Sequence, residues 1–301
     1  MNAHCHLELS DVPTPLTPAQ PFTAWLNAVI AHRQERGVQP EADSGAVSAG
    51  RTELTRHGVT VVGDIAGQPA ASAPTTRIIT PRTVSFLELR GLAPERQATQ
   101  LQSAAVHLAA QTDVVAGLSP HAPYSVHPDL LQSAIDLAVA QGAPVAMHLA
   151  ETRAEWELLA SGTGEFTGFL KRLGVWRDEA FPPGRRPLDF LQALARAACV
   201  LVVHGNYLDD EEIEFIAAHP NLSVVYCPRT HHYFGHTPHP WRTMLARGIN
   251  VALGTDSRAS NPDLSLFNEL RFLRGLAPDF DPAELLKLGT FGGAFALGIE
   301  T

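Results

Sequence analysis

The 301-residue sequence contains only three cysteines, Cys5, Cys199 and Cys227, and none of them belongs to a Cys-x-x-Cys pair. An odd, widely spaced set argues against a disulfide framework and indicates reduced thiols, so we expect a cytoplasmic protein. No stretch reaches the roughly 18 apolar residues of a membrane-spanning helix. No basic-then-apolar signal segment opens the chain, which strengthens the expectation of a protein without a membrane partner.

Positive charge is also scarce, because Lys171 and Lys287 are the only lysines and the formal net charge is −9. This balance argues against a surface that binds nucleic acid or anionic membrane. Apolar residues make up 45% of the chain and charged residues 18%, which is typical of a globular protein. At this length roughly 75% of the unfolded surface can be buried, enough for a large core.

Short apolar runs rich in valine, alanine and leucine recur along the chain and predict eight β-strands. The predicted strands are Ala3–Leu7, Val59–Ile65, Thr83–Leu89, Val114–Leu118, Pro144–His148, Cys199–His204, Leu222–Cys227 and Asn250–Gly254. The stretches Ala66–Thr76 and Trp176–Arg186 are predicted loops.

Helix-length segments separate the predicted strands. They are Phe22–Arg36, Ala42–His57, Pro94–Gln111, Pro128–Gln141, Ala154–Ser161, Pro187–Ala197, Asp209–His219, Trp241–Arg247 and Asp263–Gly275. Asp209 and Glu212 have the spacing of a capping box at a helix start. Eight strands alternating with helices predict a (β/α)₈ barrel, and we expect residues 1–301 to form this single domain.

Two histidines, His4 and His6, lie one residue apart in the first predicted strand. Side chains at positions i and i+2 of a strand point to the same face, so this pair can bind one metal ion. Further polar residues lie at or just beyond later strand ends, namely His121, His148, Glu151, His204 and Asp256. The carboxyl ends of the strands are where barrel enzymes keep their active sites, so these residues predict one site.

The order and local sequence of five motifs resemble those of the amidohydrolase superfamily, specifically its cytosine deaminase/chlorohydrolase branch. That branch includes guanine, S-adenosylhomocysteine and aminofutalosine deaminases. The motifs surround His4 and His6, His121, His148 and Glu151, His204, and Asp256. The resemblance extends from residue 2 to about residue 298. Relatives usually carry a small β-sandwich before and after the barrel, and we expect both segments to be missing here.

The resemblance implies one metal ion, held by His4, His6, His148 and Asp256. Imidazole and carboxylate ligands suit Zn²⁺, with Fe²⁺ as the alternative, better than Ca²⁺ or Mg²⁺. Binuclear relatives carry a lysine on the fourth strand that bridges two metals. The fourth predicted strand here has no lysine, so we expect a single ion.

The resemblance also implies roles for the remaining residues. Glu151 would protonate the ring nitrogen beside the attacked carbon, His204 would hydrogen-bond the attacking water, Asp256 would accept its proton, and His121 would contact substrate. Simpler interpretations compete with these roles. Glu151 could be a carboxylate favoured by a helix dipole, His204 a core histidine, and His121 a turn residue.

After the seventh predicted strand, Arg229 and His231 stand where relatives have an Asn-Pro-x-Ser-Asn-type sequence. Arg229 could form a planar fork to an acceptor oxygen of the substrate, with His231 helping to set substrate choice. A second metal site at His231, His232 and His236 is disfavoured because no carboxylate accompanies them. Glu8 has the same strand parity as His4 and His6 and is either a substrate contact or a solvated carboxylate.

The resemblance and its site residues imply a metal-dependent aminohydrolase that acts on an aminated heterocycle, such as a purine, a pyrimidine or a nucleoside derivative. A hydrolytic dechlorinase or a cyclic amidase on the same fold is the alternative reaction. A non-catalytic metal-binding remnant is the alternative class. The expected partner is a small-molecule heterocycle, and a homodimer is compatible with the sequence.

Overall fold

Eight parallel strands form one sheet in chain order in the computed structural model, which describes residues 1–37, 45–69, 81–110 and 114–299. The strands are β1 Asn2–Cys5, β2 Val61–Ala66, β3 Arg82–Leu89, β4 Val115–Pro120, β5 Val145–Leu149, β6 Val200–His204, β7 Leu222–Tyr226 and β8 Asn250–Leu253. Each predicted strand overlaps an observed one, and the predicted (β/α)₈ barrel is confirmed.

Contacts between the first and last strands close the barrel. The carbonyl oxygen of His4 accepts hydrogen bonds from the backbone N–H groups of Thr255 and Asp256, both at 3.1 Å. The side chain of Asn2 donates to Thr255 Oγ1 at 2.7 Å and accepts from the Thr255 backbone N–H at 3.1 Å. The closure therefore brings residues from the two ends of the sequence into contact at one edge of the barrel.

Thirteen α-helices lie among the described residues. They are α1 Phe22–Arg36, α2 Gly45–Arg56, α3 Pro94–Ala109, α4 Pro128–Gln141, α5 Arg153–Ser161, α6 Glu165–Arg172, α7 Pro187–Leu194, α8 Asp210–Ala217, α9 Pro228–Tyr233, α10 Trp241–Ala246, α11 Leu266–Leu276, α12 Pro282–Leu288 and α13 Phe291–Ala296. Short 3₁₀ turns lie at Leu7–Leu9 and Asp178–Ala180.

All nine predicted helices overlap observed ones, and four observed helices, α6, α9, α12 and α13, were not predicted. Helix α6 contains Gly168, and α9 contains threonine and two histidines, which have low helix propensity. Parts of the predicted helices at residues 42–44 and 111, and of the predicted loop at residues 70–76, lie outside the described residues.

The predicted capping box at α8 is present. Asp209 Oδ1 accepts from the Glu212 backbone N–H at 3.0 Å, and Glu212 Oε2 accepts from the Asp209 backbone N–H at 2.9 Å. The two side chains thus satisfy N–H groups that a helix start would otherwise leave unpaired.

Among the described residues, apolar side chains form three buried clusters. The largest fills the space between the barrel and its helices. Another, including Val84, Phe86 and Leu201, consists mainly of strand residues. The third includes Phe22 and Trp25 of α1 with Phe166 and Phe169 of α6, and these two helices thus pack together. No helix within the described ranges is long and apolar enough to cross a bilayer.

Gly254 occupies a position at the barrel closure that has no room for a side chain. A Cβ atom there would lie 2.8 Å from His4 Cβ, 2.9 Å from the His4 carbonyl oxygen and 3.0 Å from Cys227 Sγ. We expect Gly254→Ala to lower the free energy of unfolding by about 1–3 kcal/mol, the usual effect of overpacking. Urea denaturation monitored by circular dichroism measures this change.

Gly275→Ala is the matched control, because a Cβ atom at Gly275 in α11 would meet nothing within 4 Å. Alanine is the better helix former, so the control should be neutral or stabilise by up to about 1 kcal/mol. If the two variants were equally destabilised, the close contact of position 254 with His4 and Cys227 would not explain the loss of stability.

Candidate metal centre and active site

Three buried histidines from two strands meet at the carboxyl end of the barrel. His4 lies on β1, His6 follows β1, and His148 lies on β5. Nitrogen atoms of the three rings all lie within 4.8 Å of one another, and His6 Nε2 lies 3.2 Å from His148 Nε2. The His-x-His spacing and the strand geometry together explain this convergence, because both side chains of the pair point to one face.

Asp256, which follows β8, adds a carboxylate to the histidines. Its Oδ1 atom lies 3.5 Å from His4 Nε2 and 3.5 Å from His6 Nε2. Its other oxygen, Oδ2, accepts a hydrogen bond from Ser260 Oγ at 2.9 Å. The structure thus brings together the four side chains that the sequence nominated as ligands, and Ser260 orients the carboxylate.

The ring nitrogens have the properties that metal ligands require. Both ring nitrogens of His4 and Nδ1 of His6 are buried and have no hydrogen-bond partner in the described structure. Burial, assisted by the neighbouring histidines, lowers the pKa of His6 well below its usual range and that of His148 to about 3. The His6 and His148 rings are therefore neutral at pH 7, and unpaired lone pairs in a buried site fit a divalent transition metal.

Glu151 and His204 lie beside this cluster at the ends of β5 and β6. Glu151 Oε1 is 3.4 Å from His204 Nε2, and both side chains are buried. Burial, followed by the negative charges of Asp256 and Glu155, raises the pKa of Glu151 well above its usual range. A carboxyl group in this setting keeps its proton to higher pH than a solvated glutamate, which is the property of a proton donor.

Three residues near the site have left-handed backbone conformations. They are Ala150, His204 and Asp256, with φ angles of 52°, 71° and 55°, and no other described residue except glycine has a positive φ. Such conformations are unfavourable for residues with a Cβ atom and cluster at functional sites. His204 is the last residue of β6, and Ala150 and Asp256 follow β5 and β8, so each changes the chain direction where a functional side chain is presented.

His121 follows β4 and lies at the wall of the site. Its ring centroid is 5.0 Å from that of His148, and its Nδ1 atom is 2.6 Å from Ser125 Oγ. Its Nε2 atom lies 3.4 Å from Oε1 of Glu88, a buried residue on β3 that the sequence reasoning missed. The available signal was a glutamate inside an apolar strand, between Leu87 and Leu89.

A cavity of about 500 Å³ opens above these residues. His6, His121, His148, Glu151, His204 and Asp256 line its floor and walls. Apolar side chains from α1 and α6 cover the other side, among them Phe22, Trp25, Val29, Phe169 and Leu170. Helix α1 was predicted from the sequence, but its position over the site was not.

Arg229 and His231, predicted as substrate contacts, do not line the cavity. The Arg229 guanidinium forms two hydrogen bonds to Asp263, at 2.8 and 3.1 Å, and its Nε atom lies 3.7 Å from Glu269. His231 Nε2 donates to the carbonyl oxygen of Thr237 at 2.9 Å. Both residues belong to the unpredicted helix α9, which directs them to neighbouring elements, so the structure corrects these two predictions.

Glu8, the third predicted substrate contact, also lies outside the cavity lining. Its carboxylate pairs with Arg33 of α1, and its carbonyl oxygen accepts from Arg36 of the same helix. The residue sits in the 3₁₀ turn that directly follows His6. Glu8 therefore ties α1 to the end of β1, which corrects the expectation that it contacts substrate.

Comparison with known proteins adds family information to this geometry. The family model described as "Amidohydrolase family" matches residues 1–301. The chain belongs to the amidohydrolase family. The resemblance found in the sequence motifs is thus confirmed, and with it the metal-dependent hydrolase class.

Two curated relatives and one solved structure illustrate the similarity. Aminodeoxyfutalosine deaminase of Deinococcus radiodurans is 30% identical over 327 residues, covering 100% of this chain and 73% of the relative. 5-Methylthioadenosine/S-adenosylhomocysteine deaminase of Pelotomaculum thermopropionicum is 32% identical, covering 62% of this chain and 40% of the relative. Helicobacter pylori aminofutalosine deaminase in complex with methylthio-coformycin has a TM-score of 0.79 at 25% identity, covering 99% and 73% of the two chains. Such relatives confirm the expected enzyme class, a hydrolase of carbon–nitrogen bonds other than peptide bonds.

We expect one tightly bound divalent metal ion per chain, because β4 contains no lysine to bridge a second ion. His148→Ala should lose most of this metal, since it removes one of three converging imidazoles. Elemental analysis of purified, dialysed protein measures the stoichiometry. His219→Ala, which removes a histidine that hydrogen-bonds Phe215 on α8, is the control and should keep the metal. Two tightly bound ions per chain would contradict the single-ion assignment.

Proposed function

We propose that this protein is a Zn²⁺-dependent deaminase that replaces the exocyclic amino group of a 6-aminopurine nucleoside with a carbonyl oxygen. The observation that carries the proposal is the buried Glu151 carboxyl group, placed 3.4 Å from His204 beside the candidate metal ligands. A proton donor beside the metal ligands favours deamination over dechlorination, because an amino group is a poorer leaving group than chloride and the ring nitrogen beside it needs protonation. The relatives that deaminate nucleoside derivatives support the same assignment.

His4, His6, His148 and Asp256 would hold the metal ion. When bound, a divalent metal lowers the pKa of a coordinated water towards about 7 and so makes it a nucleophile near neutral pH. Three imidazoles and one carboxylate would form the ligand set. This set of nitrogen and oxygen donors favours Zn²⁺, with Fe²⁺ as the alternative.

Glu151 and Asp256 would divide the proton transfers between them. Glu151 donates a proton to the ring nitrogen next to the amino-bearing carbon, and this makes the carbon more electrophilic. Asp256 accepts a proton from the attacking water, and His204 orients that water by a hydrogen bond. Both carboxyl groups are buried near one another, so the ionised Asp256 favours the protonated form of Glu151.

The atoms balance over the whole reaction. A carbon–oxygen bond forms from water, and the bond between the carbon and the amino nitrogen breaks. The protons taken from the water pass through Asp256 and Glu151 to the ring nitrogen and the leaving amino group. The products are ammonia and the purine with a carbonyl oxygen in place of the amino group.

The apolar wall from α1 and α6 indicates which substituent the nucleoside has at the 5′ position of its ribose. Phe22, Trp25 and Val29 of α1 pack with Phe169 and Leu170 of α6, and together they line one side of the cavity. Such a wall favours an apolar substituent over a bare hydroxyl group, at about 25 cal/mol for each Å² removed from water. We therefore assign 5′-methylthioadenosine and similar 5′-substituted nucleosides as better substrates than adenosine.

Glu151→Gln should keep the metal but lower kcat for 5′-methylthioadenosine by at least about 10²-fold, because the amide cannot transfer a proton. An ammonia-coupled assay with Zn-loaded and Fe-loaded protein measures the loss. Glu157→Gln, a change at an exposed position of the same helix α5, is the control and should leave kcat unchanged. Near-normal turnover in Glu151→Gln would remove Glu151 from the mechanism. Chloride release from a chlorinated heterocycle without ammonia release would favour the dechlorinase alternative.

Leu173→Asp should reduce the preference for 5′-methylthioadenosine over adenosine by about tenfold in kcat/KM. Leu173 lines the cavity and is already 41% exposed, so the change tests the apolar wall without opening the core. A charge placed there is poorly compatible with an apolar substituent. Leu286→Asp, at a 52% exposed position of α12 outside the cavity lining, is the control. If Leu173→Asp left the kcat/KM preference unchanged, the 5′ substituent would not bind against this apolar wall.

A further inference from the structure

The backbone turn that presents Glu151 is held by a second buried glutamate. Glu155 Oε1 accepts from the Ala150 backbone N–H at 2.7 Å, and Glu155 Oε2 accepts from the Glu151 backbone N–H at 3.3 Å. Ala150 is in the left-handed conformation, with φ 52°. One carboxyl group thus binds the N–H groups of two successive residues in an unfavourable turn.

This arrangement departs from ordinary helix capping. Glu155 is the third residue of α5, and Thr152 already caps the helix by accepting from the Glu155 backbone N–H at 3.1 Å. In a capping box the third-residue glutamate would return a hydrogen bond to the backbone of the capping residue, as Glu212 does to Asp209 in α8. Glu155 instead reaches past Thr152 to the two residues before it.

The burial of Glu155 is costly and calls for an explanation beyond helix stability. The side chain is fully buried, and within the described structure it forms no ion pair. Burial, which is its largest perturbation, raises its pKa to about 8. An apolar residue at this helix position would avoid the cost of burying a carboxyl group. The retained carboxyl group therefore has its benefit in the two N–H groups that it binds.

Residues that follow β6 hold the opposite side of the same turn by hydrogen bonds. Asn206, two residues after His204, donates from Nδ2 to the carbonyl oxygen of Glu151 at 3.0 Å. The backbone N–H of Tyr207 donates to the carbonyl oxygen of Ala150 at 3.0 Å. Both peptide groups that flank Glu151 are consequently fixed, and its carboxyl group lies 3.4 Å from His204.

We propose that Glu155 is a positioning residue for the reaction, with Asn206 as its counterpart across the turn. The two side chains fix the backbone of Glu151 so that its carboxyl group stays opposite His204. This inference rests on the proposed role of Glu151 as the proton donor. A displacement of a reacting group by about 1 Å can cost about 10²-fold in rate.

Glu155→Gln tests the proposal with minimal change of shape. The amide has only one acceptor oxygen, so its NH₂ group faces one of the two N–H donors and cannot bind it. We expect kcat for 5′-methylthioadenosine to fall by about 10- to 100-fold, with KM within about twofold and metal content unchanged. Steady-state kinetics with ammonia detection and elemental analysis provide these readouts.

Glu212→Gln is the matched control, because Glu212 is also a fully buried third-residue glutamate, but its carboxylate binds the capping-box backbone of α8 and lies 3.4 Å from Arg186 Nε, and within the described structure it forms no hydrogen bond to the Glu151 turn. Both variants should lose similar thermal stability, and only Glu155→Gln should lose kcat. Equal kcat losses in the two variants, or metal loss in Glu155→Gln, would overturn the positioning role. If Glu155→Gln does not fold, Asn206→Ala tests the other side of the turn, and an unchanged kcat there overturns the proposal.

Hydrogen–deuterium exchange separates this inference from the deaminase assignment. Peptides that contain the amides of Ala150 and Glu151 should exchange at least about tenfold faster in Glu155→Gln than in the wild type or Glu212→Gln. This measurement needs no substrate, so it stands even if the wild type releases no ammonia from any nucleoside. Unchanged protection of these two amides would refute the proposal that Glu155 fixes the backbone of Glu151, whatever reaction the enzyme catalyses.

Discussion

The closure of the barrel between β1 and β8 is the contact on which the candidate site depends. His4 and Asp256 are 252 positions apart, and the closure brings them together where the His4 carbonyl oxygen binds the backbone N–H groups of Thr255 and Asp256. Asn2 reinforces the joint through two hydrogen bonds to Thr255. The same backbone contacts therefore close the barrel and place Asp256 beside His4 and His6.

The barrel provides more than proximity, because its strand ends redirect the chain. The three left-handed residues Ala150, His204 and Asp256 follow or end β5, β6 and β8. Each has a stabilising contact close by. Glu155 binds the Ala150 N–H, His239 Nε2 donates to the His204 carbonyl oxygen at 2.8 Å, and Ser260 donates to the Asp256 carboxylate. An unfavourable backbone conformation persists when neighbouring groups hold it in place. Here the groups that do so lie next to the candidate site.

Much of this architecture could be predicted from the sequence, because it depends on local patterns. Valine-rich runs gave the eight strands, and polar residues at their ends gave the candidate ligands together with Glu151 and His204. The roles of these residues remain predictions, although the structure places their side chains together. What could not be predicted depends on contacts distant in sequence. Examples are the α1 wall over the cavity and the pairing of Glu88 with His121.

Arg229 shows the physical reason for such a failure. Its position after β7 indicated the barrel mouth, and an isolated guanidinium in that place would need a carboxylate or a substrate oxygen. The carboxylates were supplied by Asp263 and Glu269, 34 and 40 positions further along the chain. Asp263 and Glu269 become neighbours of Arg229 only once α9 and α11 are packed together, and nothing in the local sequence reports that packing.

Arg229 is nevertheless linked by hydrogen bonds, through Glu269, to the segment that follows β8. Glu269 accepts from the Arg229 backbone and from the Asn261 side chain, whose amide also donates to the Thr255 carbonyl oxygen at 2.8 Å. Thr255 is the residue that joins β8 to β1. The arginine that sequence reasoning assigned to substrate thus belongs to the network that holds the barrel closure. Its charge offsets the burial of Glu269, and Asn261 connects Glu269 to Thr255, the neighbour of Asp256.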